Sequence, residues 1–361
     1  MTSTSVQDTA TGPDAGTGPD TATGPVEPGT TTTMTMAAAL NTALRDALAE
    51  DPEVVLIGED IGTLGGVFRI TDGLKQRFGA DRVIDSPLAE SGIIGTSVGM
   101  AYRGRRPVAE IQFDGFVYPG FDQIVAQVSR LHYRTAGTVL MPLTIRIPVG
   151  GGIGAVEHHS ESPEAYFAHT PGLRVVTVAD PQDAYSTLRA AIASDDPVMV
   201  LEPKRRYWSK GEVDTSLEAD LGSARVLRTG TDATLVAYGP LVVTALEAAV
   251  AAEDDGISLE VIDLRSLAPL DRDTVAASVR RTGRLVVAHE AAGTVSVSSE
   301  VITCAIEDCF EHLEAAPERV TGYDIPYPPA ALEDHHLPGI DRILDAVDRT
   351  LGRRSSRGDA R

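Results

Sequence analysis

Apolar residues in this chain fall into two alternating patterns. Short, nearly unbroken runs at Val54–Ile57, Leu143–Pro148, Leu173–Val178 and Val198–Leu201 predict strands buried on both faces. Between them, apolar positions recur every three or four residues, which predicts helices over Met36–Glu50, Thr71–Phe78, Tyr118–Arg134 and Pro181–Ala193. In the helix Tyr118–Arg134 the apolar face is Phe121, Ile124, Val125, Val128 and Leu131. The same alternation resumes later, with strands at Ala233–Tyr238, Ser258–Ile262 and Leu285–His289. Helices fit Val242–Ala252, Asp271–Thr282 and Ser298–Glu311, and another closes Pro338–Leu351. The polar, irregular run from Glu202 to Ser223 separates the two series and reads as a linker. The pattern predicts an α/β protein of two doubly wound domains, 34–205 and 224–353, joined by residues 206–223.

Composition narrows the picture. The 361 residues are 42% hydrophobic with a net charge of -21, so a nucleic-acid surface, which needs a basic patch, is not expected. No apolar run has the roughly eighteen residues of a membrane span. Residues 1–33, rich in Thr, Gly, Pro and Asp, and residues 354–361 are expected to be disordered, because neither offers enough apolar surface to offset ordering. The first 33 residues also lack the basic and apolar segments of a secretory signal, and they argue against a mitochondrial leader. Cys304 and Cys309, five apart in a predicted helix, fit neither a metal knuckle nor a redox pair, so a cytoplasmic location is expected.

Two stretches carry candidate chemistry. In RVIDSPLAESGIIGTSVGMAYRGRRPVAEIQFDGF, Arg82 to Phe116, a strand leads through Ser86-Pro87, which predicts a helix start, into a helix with Gly92, Gly95 and Gly99 on one face. Glu90 falls in the first helical turn, near the carboxyl end of a strand, where ligands of α/β sheets gather. Taken alone it reads rather as a first-turn acid favoured by the helix dipole. In the second stretch a glycine-rich turn, Gly150 to Gly154, leads into Glu157-His158-His159-Ser160-Glu161. A histidine there suits proton transfer, since its ordinary pKa lies near neutrality. A solvent-facing loop is the plain alternative. Adjacent ligands rarely aim at one ion, so no metal site is assigned. No GxGxxG follows any strand, which argues against a nicotinamide-dependent dehydrogenase.

With these residues in view, the chain resembles the β subunit of the thiamine-diphosphate-dependent 2-oxo acid dehydrogenases, the E1β family, from Met36 to about Leu351. The resemblance rests on VVLIGEDIGTLGGVFRIT, RVIDSPLAESGIIGTSVGMA, EHHSESPEAYFAHTPGLRVV and LEVIDLRSLAPLDRDTV. FDGFVYPGFDQIV, HHSESPEAYFAH and the LEPK at 201–204 are most similar to the branched-chain type, with pyruvate and acetoin types as the alternatives. A non-catalytic regulatory β-like subunit is a further alternative, against which Glu90, Phe116 and His159 all stand. The resemblance implies a pyrimidine-binding domain followed by a transketolase C-terminal-like domain. It implies that Glu90 hydrogen-bonds the aminopyrimidine ring of thiamine diphosphate and so activates the thiazolium carbon. It also implies that Leu88, Gln112 and Phe116 line the cofactor pocket. His159 matches a histidine that meets the 2-oxo acid carboxylate and the lipoyl group, and His158 matches none.

The family's Mg²⁺ and diphosphate are held at a GDG motif. This chain has only FDG at 113–115, TDG at 71–73 and DDG at 254–256. The resemblance therefore implies an E1α partner in an α2β2 heterotetramer that supplies that half of the site. It further implies docking to an E2 acyltransferase through its lipoyl and subunit-binding domains. Where relatives carry a GGFG-like run after HEA, this chain has Ala292-Gly293-Thr294-Val295-Ser296-Val297-Ser298. That departure bears on the docking surface.

Overall fold

The computed structural model describes residues 31–353, so most of the expected N-terminal tail, and 354–361, lie outside the described residues. The strands, in chain order, are β1 (Thr31–Thr35), β2 (Val54–Glu59), β3 (Val83–Ser86), β4 (Arg106–Glu110), β5 (Thr144–Val149), β6 (Arg174–Thr177) and β7 (Val198–Pro203). They continue as β8 (Lys210–Asp214), β9 (Arg225–Arg228), β10 (Ala233–Ala237), β11 (Leu259–Asp263), β12 (Ser266–Ala268), β13 (Leu285–Ala292) and β14 (Glu318–Gly322).

The first large sheet has the order β12-β6-β7-β5-β4-β2-β3. All its pairings are parallel except the edge pair of β12 with β6. The second has the order β14-β13-β10-β11-β9, with only β9 antiparallel. Crossover helices on the two faces explain why β2, β5, β7, β10 and β11 are buried along nearly their whole length. The helix Met36–Glu50 is capped by Thr35, whose Oγ1 accepts from the Ala38 amide at 3.1 Å. It buries Met36, Leu40 and Leu44 in one core cluster with Leu188 and Ile192 of the helix Pro181–Ala193. That second helix carries proline at its start and an Asp180 cap, Oδ1 accepting from Asp183 at 2.8 Å.

Several sequence expectations are corrected. Residues 31–33, assigned to the tail, belong to β1, which pairs antiparallel with β8. β8 itself lies in the run assigned as linker, and Glu202, read as the start of that run, is a fully buried residue of β7. Polar residues hid β8, which forms a two-strand ribbon with β1, and the end of β7, where Glu202 sits in an ion pair. The helix expected over Tyr118–Arg134 is three pieces, Val117–Gln123, a π-helical turn Ile124–Val128, and Leu131–Arg134. Ser86-Pro87 does not start a helix. Ser86 stays paired to Glu59 in the sheet ladder, and the helix begins at Glu90 without a side-chain cap. β12 joins the first sheet although it follows the second domain's β11, so the two series are tied by backbone hydrogen bonds as well as by packing.

Candidate active site

β2 connects to β3 on one side and the chain then returns to β4 on the other side of β2. This reversal opens a crevice beyond the carboxyl ends of β2 and β4, the usual ligand position of such sheets. Register brings Glu59 level with Ser86, and Gly58 level with both Asp85 and Glu110. Glu59, Glu90 and Gln112 all stand at this edge, directly after or at the ends of three neighbouring strands.

Glu90 is 5% exposed. Among the described residues no side chain or amide donates to its carboxylate, and it joins no ion pair. A carboxylate that its own chain leaves unpaired, on a residue otherwise largely buried, is free to accept a hydrogen bond from a ligand. Glu59 is its acidic neighbour. Burial pushes the Glu59 carboxyl above the usual carboxylate range, and the charges of Asp60 and Glu90 add to the effect. Asp60 follows with a left-handed backbone (φ 59°) and accepts from Gln112 Nε2 at 3.4 Å. Sequence reasoning missed Glu59. The available signal was its place at the end of a strand, beside a glycine loop.

The histidine loop meets this crevice through aromatic contacts. His159 stacks on Phe113 with ring centroids 3.9 Å apart and meets Phe116 edge-on at 5.0 Å. Phe113 also meets Phe116 at 6.0 Å and Phe68 at 5.7 Å. Gly115 is required here, because a Cβ at that position would overlap the His158 carbonyl. Gly120, one helical turn beyond Phe116, faces the Glu90 carbonyl, so the Phe116 segment and the Glu90 helix are in contact. Leu88, in contrast, is 64% exposed and faces away from the chain's own core. Of the three glycines expected on one helix face, Gly95 packs against Gln123, whereas Gly92 meets only Ala89 beside it and Gly99 meets nothing. His158 has Glu157 3.9 Å away, and His159 Nδ1 lies 2.9 Å from the His158 carbonyl. Among the described residues no His, Cys, Asp or Glu side chains converge as a metal-binding group.

Buried polar pairs fix these elements. Lys204 bonds Asp114, both side chains fully buried. Burial pushes the Asp114 carboxyl up and the Lys204 ammonium down, and each charge opposes the other's shift. Asp114 also accepts from the Glu161 amide at 2.6 Å, and Glu161 from the Tyr118 hydroxyl at 2.6 Å. A few residues on, Glu164 accepts from Tyr238 of the second domain at 2.8 Å. Burial raises its carboxyl from 4.5 to about 7. Because the folded state favours the protonated form, stability falls as pH rises from about 4.5 to about 7, by on the order of 3 kcal/mol. Glu164→Gln keeps an oxygen for Tyr238 and removes the titration. The variant complex is expected to match the wild type in thermal midpoint at pH 4.5 and exceed it at pH 8. Equal midpoints at both values would show that Glu164 does not titrate in this window.

Family comparisons agree with this geometry. The transketolase pyrimidine-binding domain matches residues 32–209, and the transketolase C-terminal domain matches residues 222–343. The chain is 59% identical over 318 residues to the pyruvate dehydrogenase E1 component subunit beta of Leifsonia xyli subsp. xyli, covering 88% of this chain and 94% of the relative. This chain belongs to the E1β family of 2-oxo acid dehydrogenases. Another relative is the 3-methyl-2-oxobutanoate dehydrogenase subunit beta of Mycobacterium tuberculosis, 56% identical over 89% of this chain and 93% of its own length. The 2-oxoisovalerate dehydrogenase subunit beta of Pseudomonas aeruginosa is 45% identical over 89% and 96%. A solved split-gene transketolase, described as an inactive β4 tetramer, superposes with a TM-score of 0.73 at 24% identity, over 88% of this chain and 98% of its own. At that identity the likeness bears on fold alone. E1β chains work with an α subunit, and their transketolase-type domains are those of thiamine-diphosphate enzymes.

The residues present fit that cofactor. Glu90 offers a buried carboxylate with a free acceptor, half-buried Phe116 offers an apolar surface, and the acids Glu59, Asp60 and Glu90 suit a cationic ring. Exposed Leu88 marks the side of the crevice that this chain leaves open.

Proposed function

We propose that this E1β chain, joined to E1α in an α2β2 heterotetramer, forms a cytoplasmic enzyme that oxidatively decarboxylates a branched-chain 2-oxo acid. The acyl group passes to a lipoyl group of E2. The acid loses CO₂, one lipoyl sulphur takes the acyl group as a thioester, and the other leaves as a thiol. The observation that carries the reading is Glu90, 5% exposed and without a partner for its carboxylate among the described residues, beside the crevice between β2 and β4.

Thiamine diphosphate, when bound with Mg²⁺ held mainly by E1α, supplies the carbanion chemistry. Glu90 would accept a hydrogen bond from the protonated aminopyrimidine ring nitrogen and so hold the proton on the ring, with Glu59 keeping the local field negative. Leu88, Gln112 and Phe116 would line the pocket and exclude water from the ring. His159, held flat against Phe113, would give a proton to the lipoyl sulphur that leaves as a thiol. The phenylalanines at 68, 113 and 116 make an apolar wall that suits a branched acyl chain. The net charge of -21 suits a basic E2 subunit-binding domain. Free Cys304 and Cys309 accord with a reducing compartment.

Co-expression with E1α tests the reading. Turnover should require thiamine diphosphate and Mg²⁺, and kcat/KM for 3-methyl-2-oxobutanoate should exceed that for pyruvate by about tenfold or more, the size expected for extra methyl groups in an apolar pocket. The 59% identity to a pyruvate dehydrogenase subunit favours the second reading, a pyruvate-type enzyme. A pyruvate preference would establish it. A well-formed complex without turnover would overturn both.

A further inference from the structure

The loop that carries His159 is anchored at two separate places. Its base is closed within the first domain, where the Gly150 amide donates to the Glu161 carbonyl at 2.8 Å and Asp114 and Tyr118 hold Glu161. The limb between Gly151 and Gly154 is gripped by the second domain. Glu333 accepts from the Gly152 amide at 3.0 Å and from the Gly154 amide at 3.1 Å. The Tyr327 hydroxyl donates to Glu333 at 2.9 Å and lies 3.2 Å from the Gly152 nitrogen. Glu290 accepts from the Gly151 amide and, at 2.7 Å, from Arg205. Glu290 and Glu333 are 4% and 8% exposed, so these bonds form away from bulk water.

The glycine content of this loop follows from the grip. A Cβ at Gly151 would overlap the Tyr327 hydroxyl, and one at Gly152 would lie 2.7 Å from Arg205 Cδ. Gly152 also has a left-handed backbone, φ 84°. Left-handed residues alternating along a turn aim successive amides to one side and make an anion-binding concavity. Here the anions are two carboxylates of the second domain.

We propose that Glu333, supported by Tyr327, is a positioning residue for His159. By fixing the far limb of the loop from the second domain, it sets the imidazole for transfer to the lipoyl group. This inference rests on the role given to His159 under Proposed function.

The test uses the complex with E1α and three variants, Glu333→Gln, Tyr327→Phe and His159→Ala. Tyr327→Phe removes one hydroxyl and almost no buried volume, so it reads the grip even where Glu333→Gln fails to fold. Hydrogen exchange of the 151–156 amides should speed up in both grip variants. Acylation of a free lipoyl domain should slow by on the order of 10- to 100-fold in Glu333→Gln, the size of a misplaced reacting group, and by less in Tyr327→Phe. Decarboxylation read with ferricyanide should hold in Glu333→Gln and Tyr327→Phe. Glu333→Gln combined with His159→Ala should be no slower than His159→Ala alone, because both changes act through one imidazole. Unchanged exchange, or faster exchange with normal acylation, overturns the inference while the role of His159 stands. Normal acylation by His159→Ala overturns that role and the positioning with it.

Discussion

Glu90→Gln is expected to lower thiamine-diphosphate-dependent turnover by on the order of 100- to 10,000-fold, the contribution of a positioned proton-transfer group. The substitution keeps the shape of the side chain and removes its charge. Glu90 is 5% exposed and has no donor among the described residues, so no hydrogen bond among them is lost. Relief of the repulsion between Glu90 and Glu59 should leave the thermal midpoint of the complex equal to or above that of the wild type. The signature is therefore a split between activity and stability. Turnover within about tenfold of the wild type would sink the role of Glu90, since a proton-transfer group of this kind is worth more. Parallel loss of activity and stability would instead make Glu90 a structural acid.

Arg146→Met is expected to produce the largest loss of stability. Arg146 is 1% exposed on β5 and bridges two strands. Its guanidinium makes a two-pronged contact with Glu202 of β7 at 2.7 and 2.8 Å and a third with Glu110 of β4 at 2.6 Å. Tyr207 donates to Glu202 at 2.8 Å. Burial alone would pull the guanidinium below its ordinary pKa, but Glu202 and Glu110 together hold it above. Burial also pushes the Glu110 carboxyl up. Without the arginine, two carboxylates remain in a dry interior, at a penalty of about 3–5 kcal/mol or more. Unfolding by urea should begin at a lower midpoint, and Glu110, two residues before Gln112, should carry the disturbance to the crevice. Arg146→Met combined with Glu110→Gln and Glu202→Leu should recover most of the loss, because no unpaired charge is left. A single variant as stable as the wild type would mean that water reaches this cluster.

Sequence and structure diverge most where polar residues are buried. Glu202 reads as the start of a linker, since a charged residue after an apolar run marks a strand end on hydropathy alone. Its partner Arg146 lies 56 residues away in the chain, so only the fold brings them together. The same holds for Lys204 and Asp114, 90 residues apart. Ser86-Pro87 shows the opposite failure. The local signal for a helix start is strong there, but pairing of Ser86 with Glu59 extends the strand and delays the helix to Glu90. Tertiary hydrogen bonding overrode a local preference worth about 1 kcal/mol.

The sequence by itself determined the α/β alternation and the family. Apolar periodicity is a local property, and strand ends are where motif residues accumulate, so Glu90 and His159 stand out as candidates from the sequence, whereas Gln112 and Phe116 enter only through the family resemblance. Only the tertiary structure decided how they meet. Stacking of His159 on Phe113, the lack of a partner for Glu90 among the described residues and the proximity of Glu59 depend on strand order, which sets β2 directly beside β4 although β3 lies between them in the chain. The Gly150–Gly154 turn makes the point most plainly. Its glycines read as a loop in sequence, but the reason for them is the approach of Tyr327, Arg205, Glu290 and Glu333, three of which lie on the far domain. Local residue patterns record which backbone shapes are permitted, and long-range packing decides which of those shapes a site uses.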